Sequence, residues 1–252
     1  HPGLAAMRAD AAAFRTAGFA SGLTAALATL AGRAGAALPP TWTAYCADQR
    51  AEVSARLARF EPVLAIALGA LHNAGVAALP VKGAVLAAEV WPDAGLVGSR
   101  PMSDLDLLVA AGARSAAVGA LAACGYRLIE HNDWEDTFLA WGDGSVGRLD
   151  GESAEHNGKI ELHPGWVERL HHYLVDDGGV LVAQARAGRL AGRPCLRLDD
   201  AALTLHVLGH LAATVVRAEV RPADMAMAGL GLDVALIVTA TVVGGVLGPL
   251  LL

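Results

Sequence analysis

The sequence predicts an α/β fold, a small mixed sheet set between helical N-terminal and C-terminal regions. Three observations lead there. Residues 4–37 and 42–74 are rich in alanine and leucine with charges at helical spacing; residues 75–198 hold short apolar runs bounded by glycine and proline; from Asp199 apolar residues return at intervals of three and four. The expected regions are therefore 1–74, helical; 75–198, the α/β core; and 199–252, helical.

Each element has its own reason. Pro39 and Pro40 in ALPP interrupt the N-terminal helices, because proline lacks an N–H and clashes with the preceding turn. VAALPVKG is a short apolar run ending in Gly83, GAVLAAEVW reads as a helix, and WPDAGLVGSRP as a turn-rich loop. SDLDLLVA alternates as a strand, AARSAAVGALAACG suits a helix closed by Gly125, and YRLIEH suits a second strand. EDTFLAW and GKIELHP are further strand candidates, with GDGSVGRLDGESAEHNG between them as hairpin or loop. LDDAALTLHVLGHLAATVVRA begins at an aspartate suited to cap a helix.

Composition limits the functions available. With 252 residues, 54% hydrophobic and 17% charged, the chain can bury a sizeable core. A formal net charge of −6 argues against binding duplex DNA or anionic lipid through a broad basic surface. Cys46, Cys124 and Cys195 are odd in number and contain no CxxC pair, so neither a disulfide framework nor a zinc knuckle is expected. His1 stands first, and HPGLAAMRAD lacks the basic-then-apolar order of an export signal, so a cytoplasmic location is expected. Of the 19 basic residues only Lys82 and Lys159 are lysines, and each lies beside a candidate motif.

The motif that carries chemistry is RPMSDLDLLV, Arg100 to Val109. In a strand, side chains alternate, so Asp104 and Asp106 share one face, roughly 6.5–7 Å apart at Cα, while Leu105, Leu107 and Val109 point to the core. Like charges this close raise each other's pKa unless a cation lies between them. Oxygen ligands favour magnesium or manganese, which bind carboxylates together with substrate phosphates. KIELHP offers a third acid, Glu161, on one face with Lys159 and His163; Asp150, Glu152 and Glu155 are nearby alternatives. Three such acids can hold two metals that clamp a phosphate. LPVKG adds the complement: Gly83 lets backbone N–H groups approach a phosphate, and Lys82 supplies positive charge.

Residues 76–109, together with GYRLIEH and KIELHPGW, resemble the nucleotidyltransferase superfamily of the polymerase-β-like fold, in particular its uncharacterised branch. The resemblance implies a nucleotidyltransferase core in which Asp104 and Asp106 are the metal-binding pair, Glu161 is the third acid, and Lys82 with Gly83 corresponds to the phosphate-facing glycine turn. Arg100 and Ser103 flank the acids within reach of phosphates. The implied reaction moves a nucleoside monophosphate from a nucleoside triphosphate such as ATP to a hydroxyl-bearing acceptor, with a small molecule favoured and pyrophosphate released. Two alternatives stand: a toxin-like transferase acting on tRNA or protein, and an inactive nucleotide-binding scaffold. The chain departs from the commoner pattern, in which a glycine-serine pair lies closer to the aspartates; here lysine precedes the glycine and Ala84 follows.

Other features read as structural. His206 and His210 lie four apart, the spacing of a zinc pair, but HVLGH lacks a third ligand and reads as helix packing. His171 and His172 read as solvated loop residues, whereas His163 shares a face with Glu161 and can orient substrate. Residues 234–252 carry no charge over 19 positions, the lower range for a membrane span. Their glycines and Pro249, and the lack of a flanking basic cluster, favour a buried terminal helix or a self-association surface.

Overall fold

The computed structural model describes residues 24–90, 97–144, 151–165, 167–170, 173–176, 178–204 and 206–207. The expected helix over 4–23, most of the C-terminal region, His171, His172, His210 and the apolar segment 234–252 lie outside these residues. Among the described residues no helix is long and apolar enough to cross a membrane.

Helices α1 (Thr24–Arg33) and α2 (Pro40–Asn73) precede the sheet. Pro40 occupies the first turn of α2, where its missing N–H costs nothing. The sheet has five strands in the order β1-β2-β5-β4-β3: β1 (Ala78–Pro80), β2 (Asp104–Val109), β3 (Arg127–His131), β4 (Asp136–Trp141) and β5 (Gly158–His163). β2 and β5 run parallel and the other neighbours antiparallel, so the sheet is mixed, as expected. Between β1 and β2 lie α3 (Gly83–Val85) and a π-helical turn, Leu86–Val90. Between β2 and β3 lies α4 (Arg114–Ala123), closed by Gly125 at φ 87°.

Leu105, Leu107, Phe138, Ile160 and Leu162 present one face of the sheet to Phe60, Leu64, Leu68 and Leu71 of α2 and to Leu121 of α4, in one buried core. The other face carries Asp106 and Thr137, both buried, and a second apolar cluster at one end. There Leu108 joins Leu79, Val81, Leu181, Leu198 and Ala202. β2 is thus apolar on both sides beyond Asp106, which explains why DLLV stops alternating: a strand covered on both faces reads as a continuous apolar run.

The region 164–198, to which the sequence pattern assigned no elements, contains two hairpins and a helix. These are β6 (Val167–Leu170) with β7 (Tyr173–Asp176), α5 (Gly178–Gln184), and β8 (Arg186–Leu190) with β9 (Arg193–Arg197). β8 and β9 are short and bury little, so their side chains alternate weakly and carry little periodic signal. Asp199 accepts a hydrogen bond from the Ala202 N–H at 2.8 Å and caps the helical stretch 200–204, as its sequence position predicts. GAVLAAEVW, read as a regular helix, is instead a three-residue α-helical segment that widens into the π turn.

Candidate active site

Asp104 and Asp106 project from β2 on the face opposite Leu105 and Leu107. The parallel register sets Asp104 beside Lys159, Asp106 beside Glu161, and Leu108 beside His163. Because directly paired residues share a face, Asp104, Asp106, Lys159, Glu161 and His163 face one way. Glu152 and Glu155, alternatives for the third acid, are engaged elsewhere: they pair with Arg56 at 2.6 Å and Arg59 at 2.7 Å on α2. Asp150 lies outside the described residues.

Asp106 is the centre of the cluster. Its side chain is 4% exposed, and its Oδ1 accepts from Lys82 Nζ at 3.0 Å and from His163 Nε2 at 3.1 Å. Burial pushes its pKa up, but the His163 hydrogen bond and the Lys82 charge outweigh this and hold it below the usual carboxylate value. Asp104 shifts the other way: burial first and then the Asp106 charge raise it, although Lys82, the Ser103 hydroxyl at 3.2 Å and Arg100 work against the rise. Burial, Asp104 and Asp106 push Glu161 up to about 8. The upward shifts of Asp104 and Glu161 mark a crowding of carboxylates on this face, the feature a divalent cation relieves.

The donor set fits such a cation. Ligand atoms of Asp106, Glu161 and His163 all lie within 4.8 Å of one another, a group the sequence reading did not assemble because it gave His163 only a substrate-orienting role. The signal was available: His163 lies two residues after Glu161 on the same strand face.

Lys82 reaches Asp106 from a strained turn. Its φ of 46° and ψ of −125° match the first central position of a type II′ turn, which normally takes glycine. Gly83 is constrained differently: a Cβ there would stand 2.8 Å from Met102 Sδ. The KG pair thus divides two tasks, with Lys82 adopting the left-handed conformation and Gly83 giving room to the Met102 side chain. The helical segment after it is short, so positive charge here comes from the Lys82 ammonium rather than from a long helix macrodipole.

A cavity of about 460 Å³ lies on the opposite side of β2, between Phe60, Glu61, Ala84, Met102, Leu105 and Arg189. Leu105 faces away from the aspartates, so this cavity belongs to the helical side of the sheet and does not open onto the acids.

A mixed sheet that holds two aspartates on one strand and a glutamate opposite them on its parallel neighbour, beside a lysine-glycine turn, has the architecture of a nucleotidyltransferase core. Residues 9–226 match the family described as uncharacterised nucleotidyltransferase, and the chain belongs to that family. It is accordingly an enzyme that transfers nucleotidyl groups. Among solved structures, the crystal structure of ANT(2")-Ia in complex with adenylyl-2"-tobramycin is similar over 72% of this chain and 95% of that one, at 17% identity and a TM-score of 0.37. The solution structure of the antibiotic-resistance factor ANT(2'')-Ia is similar over 68% and 95%, at 18% identity and a TM-score of 0.34. No curated protein matches the chain.

Proposed function

We propose that the protein transfers a nucleoside monophosphate from a nucleoside triphosphate to a hydroxyl of a small-molecule acceptor, and that Asp104, Asp106 and Glu161 hold the divalent cation the reaction needs. The observation that carries this reading is the register of β2 against β5, which sets Glu161 directly beside Asp106. When bound, the cation supplies charge neutralisation for the phosphates and lowers the barrier to in-line displacement.

The chain's own groups supply the rest. Lys82, already drawn to Asp106, contributes an ammonium to the phosphates, and Arg100 and Ser103 at the entry to β2 add positive charge and a hydroxyl donor. The acceptor oxygen forms a bond to the α-phosphorus as the bond to the β-phosphate oxygen breaks, and pyrophosphate leaves. The acceptor's proton passes to Glu161, whose carboxylate lies directly beside Asp106 on the neighbouring strand. The net charge of −6 supports a small acceptor over tRNA, since polyanion binding gains from basic surface.

The test is binding of each nucleoside triphosphate with and without magnesium or manganese, by calorimetry, on the native chain and on Asp104→Asn/Asp106→Asn, followed by pyrophosphate release across acceptor classes. Cation-dependent binding that vanishes in the double variant is expected. Unchanged nucleotide transfer by the double variant overturns the reading, and binding without any pyrophosphate release points to an inactive scaffold.

A further inference from the structure

Asp106 Oδ1 and His163 Nε2 lie 3.1 Å apart. That separation is a hydrogen bond, and it is also the spacing of two neighbouring ligands on one ion: groups held at about 2.1 Å and at right angles stand about 3.0 Å apart. Glu161 completes the set within 4.8 Å. Its place is fixed by the Asp106↔Glu161 register, and that of His163 by the Leu108↔His163 register one step further along β5. The same Asp106 oxygen takes the Lys82 ammonium at 3.0 Å, so cationic charge is already drawn to this point.

We propose that His163 is an inner-sphere ligand of the catalytic cation, so that Asp106, Glu161 and His163 form a mixed carboxylate–imidazole site that prefers manganese to magnesium. This rests on the metal-dependent reading above and deepens it. The physical ground is ligand chemistry: an oxygen-only set suits magnesium, while an imidazole nitrogen gains more from first-row transition ions and lies outside magnesium's ordinary ligands. His163 is suited to the role by its placement. It is buried, with its side chain 11% exposed, and a rigid strand holds its Nε2 towards the acids. The neighbouring Leu108 belongs to the second apolar cluster, which flanks this end of the site.

The experiment uses the full chain freed of metal. Manganese and magnesium are titrated separately into the wild type, His163→Gln and Asp106→Asn, and the manganese-loaded forms are examined by pulsed EPR for nitrogen hyperfine coupling. Gln places an amide oxygen near the position of Nε2 and makes the site oxygen-only. The wild type is expected to bind manganese at least about tenfold more tightly than magnesium and to show histidine nitrogen coupling that shifts on ¹⁵N-histidine labelling. His163→Gln is expected to lose that coupling and most of the manganese preference while magnesium affinity changes by less than about threefold. Manganese bound to the wild type without nitrogen coupling, or an unchanged preference in His163→Gln, overturns the proposal. If His163→Gln does not fold, the labelled wild-type spectrum decides. The metal-dependent reading fails separately: it falls if Asp106→Asn binds manganese as the wild type does, or if the wild type binds none.

Discussion

Asp106 on β2 and Asp136 on β4 belong to one sheet, with β5 between them, and both are almost wholly excluded from solvent, yet their surroundings differ in kind. Asp136 faces the helical side. Arg114 at the start of α4 grips it through Nε at 2.7 Å and a second nitrogen at 3.1 Å, and His131 adds a further bond. Burial pushes its pKa up, but the Arg114 and His131 bonds prevail and hold it down. Asp106 faces the other side, where the ammonium of Lys82 must serve Asp104 and Glu161 as well. The difference is one of charge balance: Asp136 is closed by a matched guanidinium, whereas Asp104, Asp106 and Glu161 crowd one face of the sheet, the arrangement expected of acids that bind a cation.

The largest effect that tests this contrast is on activity. Asp106→Asn should reduce nucleotidyl transfer by at least about 10³-fold, a loss of roughly 4 kcal/mol of transition-state stabilisation, out of proportion to the stability lost with its Lys82 and His163 contacts. Asp136→Ala should do the reverse. It leaves Arg114 without its buried partner and should cost about 3 kcal/mol, lowering the melting temperature on the order of 10 °C while the residual folded enzyme keeps its specific activity. If both variants lose activity and stability in the same proportion, the distinction between the two aspartates fails.

The two acids should also answer pH with opposite signs. The folded-state pKa of Glu161 is raised from 4.5 to about 8, so the folded chain holds that proton more tightly than the unfolded chain. Its contribution to stability is fully present below about pH 4.5 and is lost as pH rises through about 8. Asp136 is lowered from 3.8, so its contribution is present above that value and lost as pH falls through the lower folded-state pKa. Manganese should therefore raise the melting temperature more at pH 8.5 than at pH 6, by several degrees, because at the lower pH it competes with the Glu161 proton. Equal shifts at the two pH values, measured by differential scanning fluorimetry, would remove Glu161 from the site.

The smallest effect concerns strain. Lys82→Met and Lys82→Gly both remove the ammonium and should weaken nucleotide binding about tenfold, but only glycine suits φ 46°. The glycine variant should be the more stable of the two by about 1–2 kcal/mol. Gly83→Ala should cost about 1 kcal/mol, because Met102 is flexible enough to move aside. Equal stability of the two Lys82 variants in urea unfolding would mean the turn holds no strain.

Much of this was legible before any coordinates. SDLDLLV specified a strand with both aspartates on one face, since side-chain alternation is a local property of extended backbone. Gly125 and Asp199 marked helix ends for equally local reasons, one through a positive φ and the other through a side-chain cap. The β8–β9 hairpin was not legible, because short and half-exposed strands have weak alternation. Nor was the strain at Lys82: the sequence pointed to Gly83 as the special residue, whereas the left-handed conformation falls one position earlier.

The sequence by itself determined the α/β class and the sidedness of the candidate acids within each strand, because these depend on neighbours along the chain. Tertiary structure decided which strand lies beside β2 and in what register. That register set Glu161 against Asp106 and brought His163 to its carboxylate, the pairing of β1 with β2 brought Lys82 to the same oxygen, and Glu152 and Glu155 paired with α2 instead. The reason is that pairing between strands far apart in the chain, such as Asp106 with Glu161, is fixed by the packing of Leu105, Leu107, Ile160 and Leu162 against α2 and α4, a condition no local pattern contains.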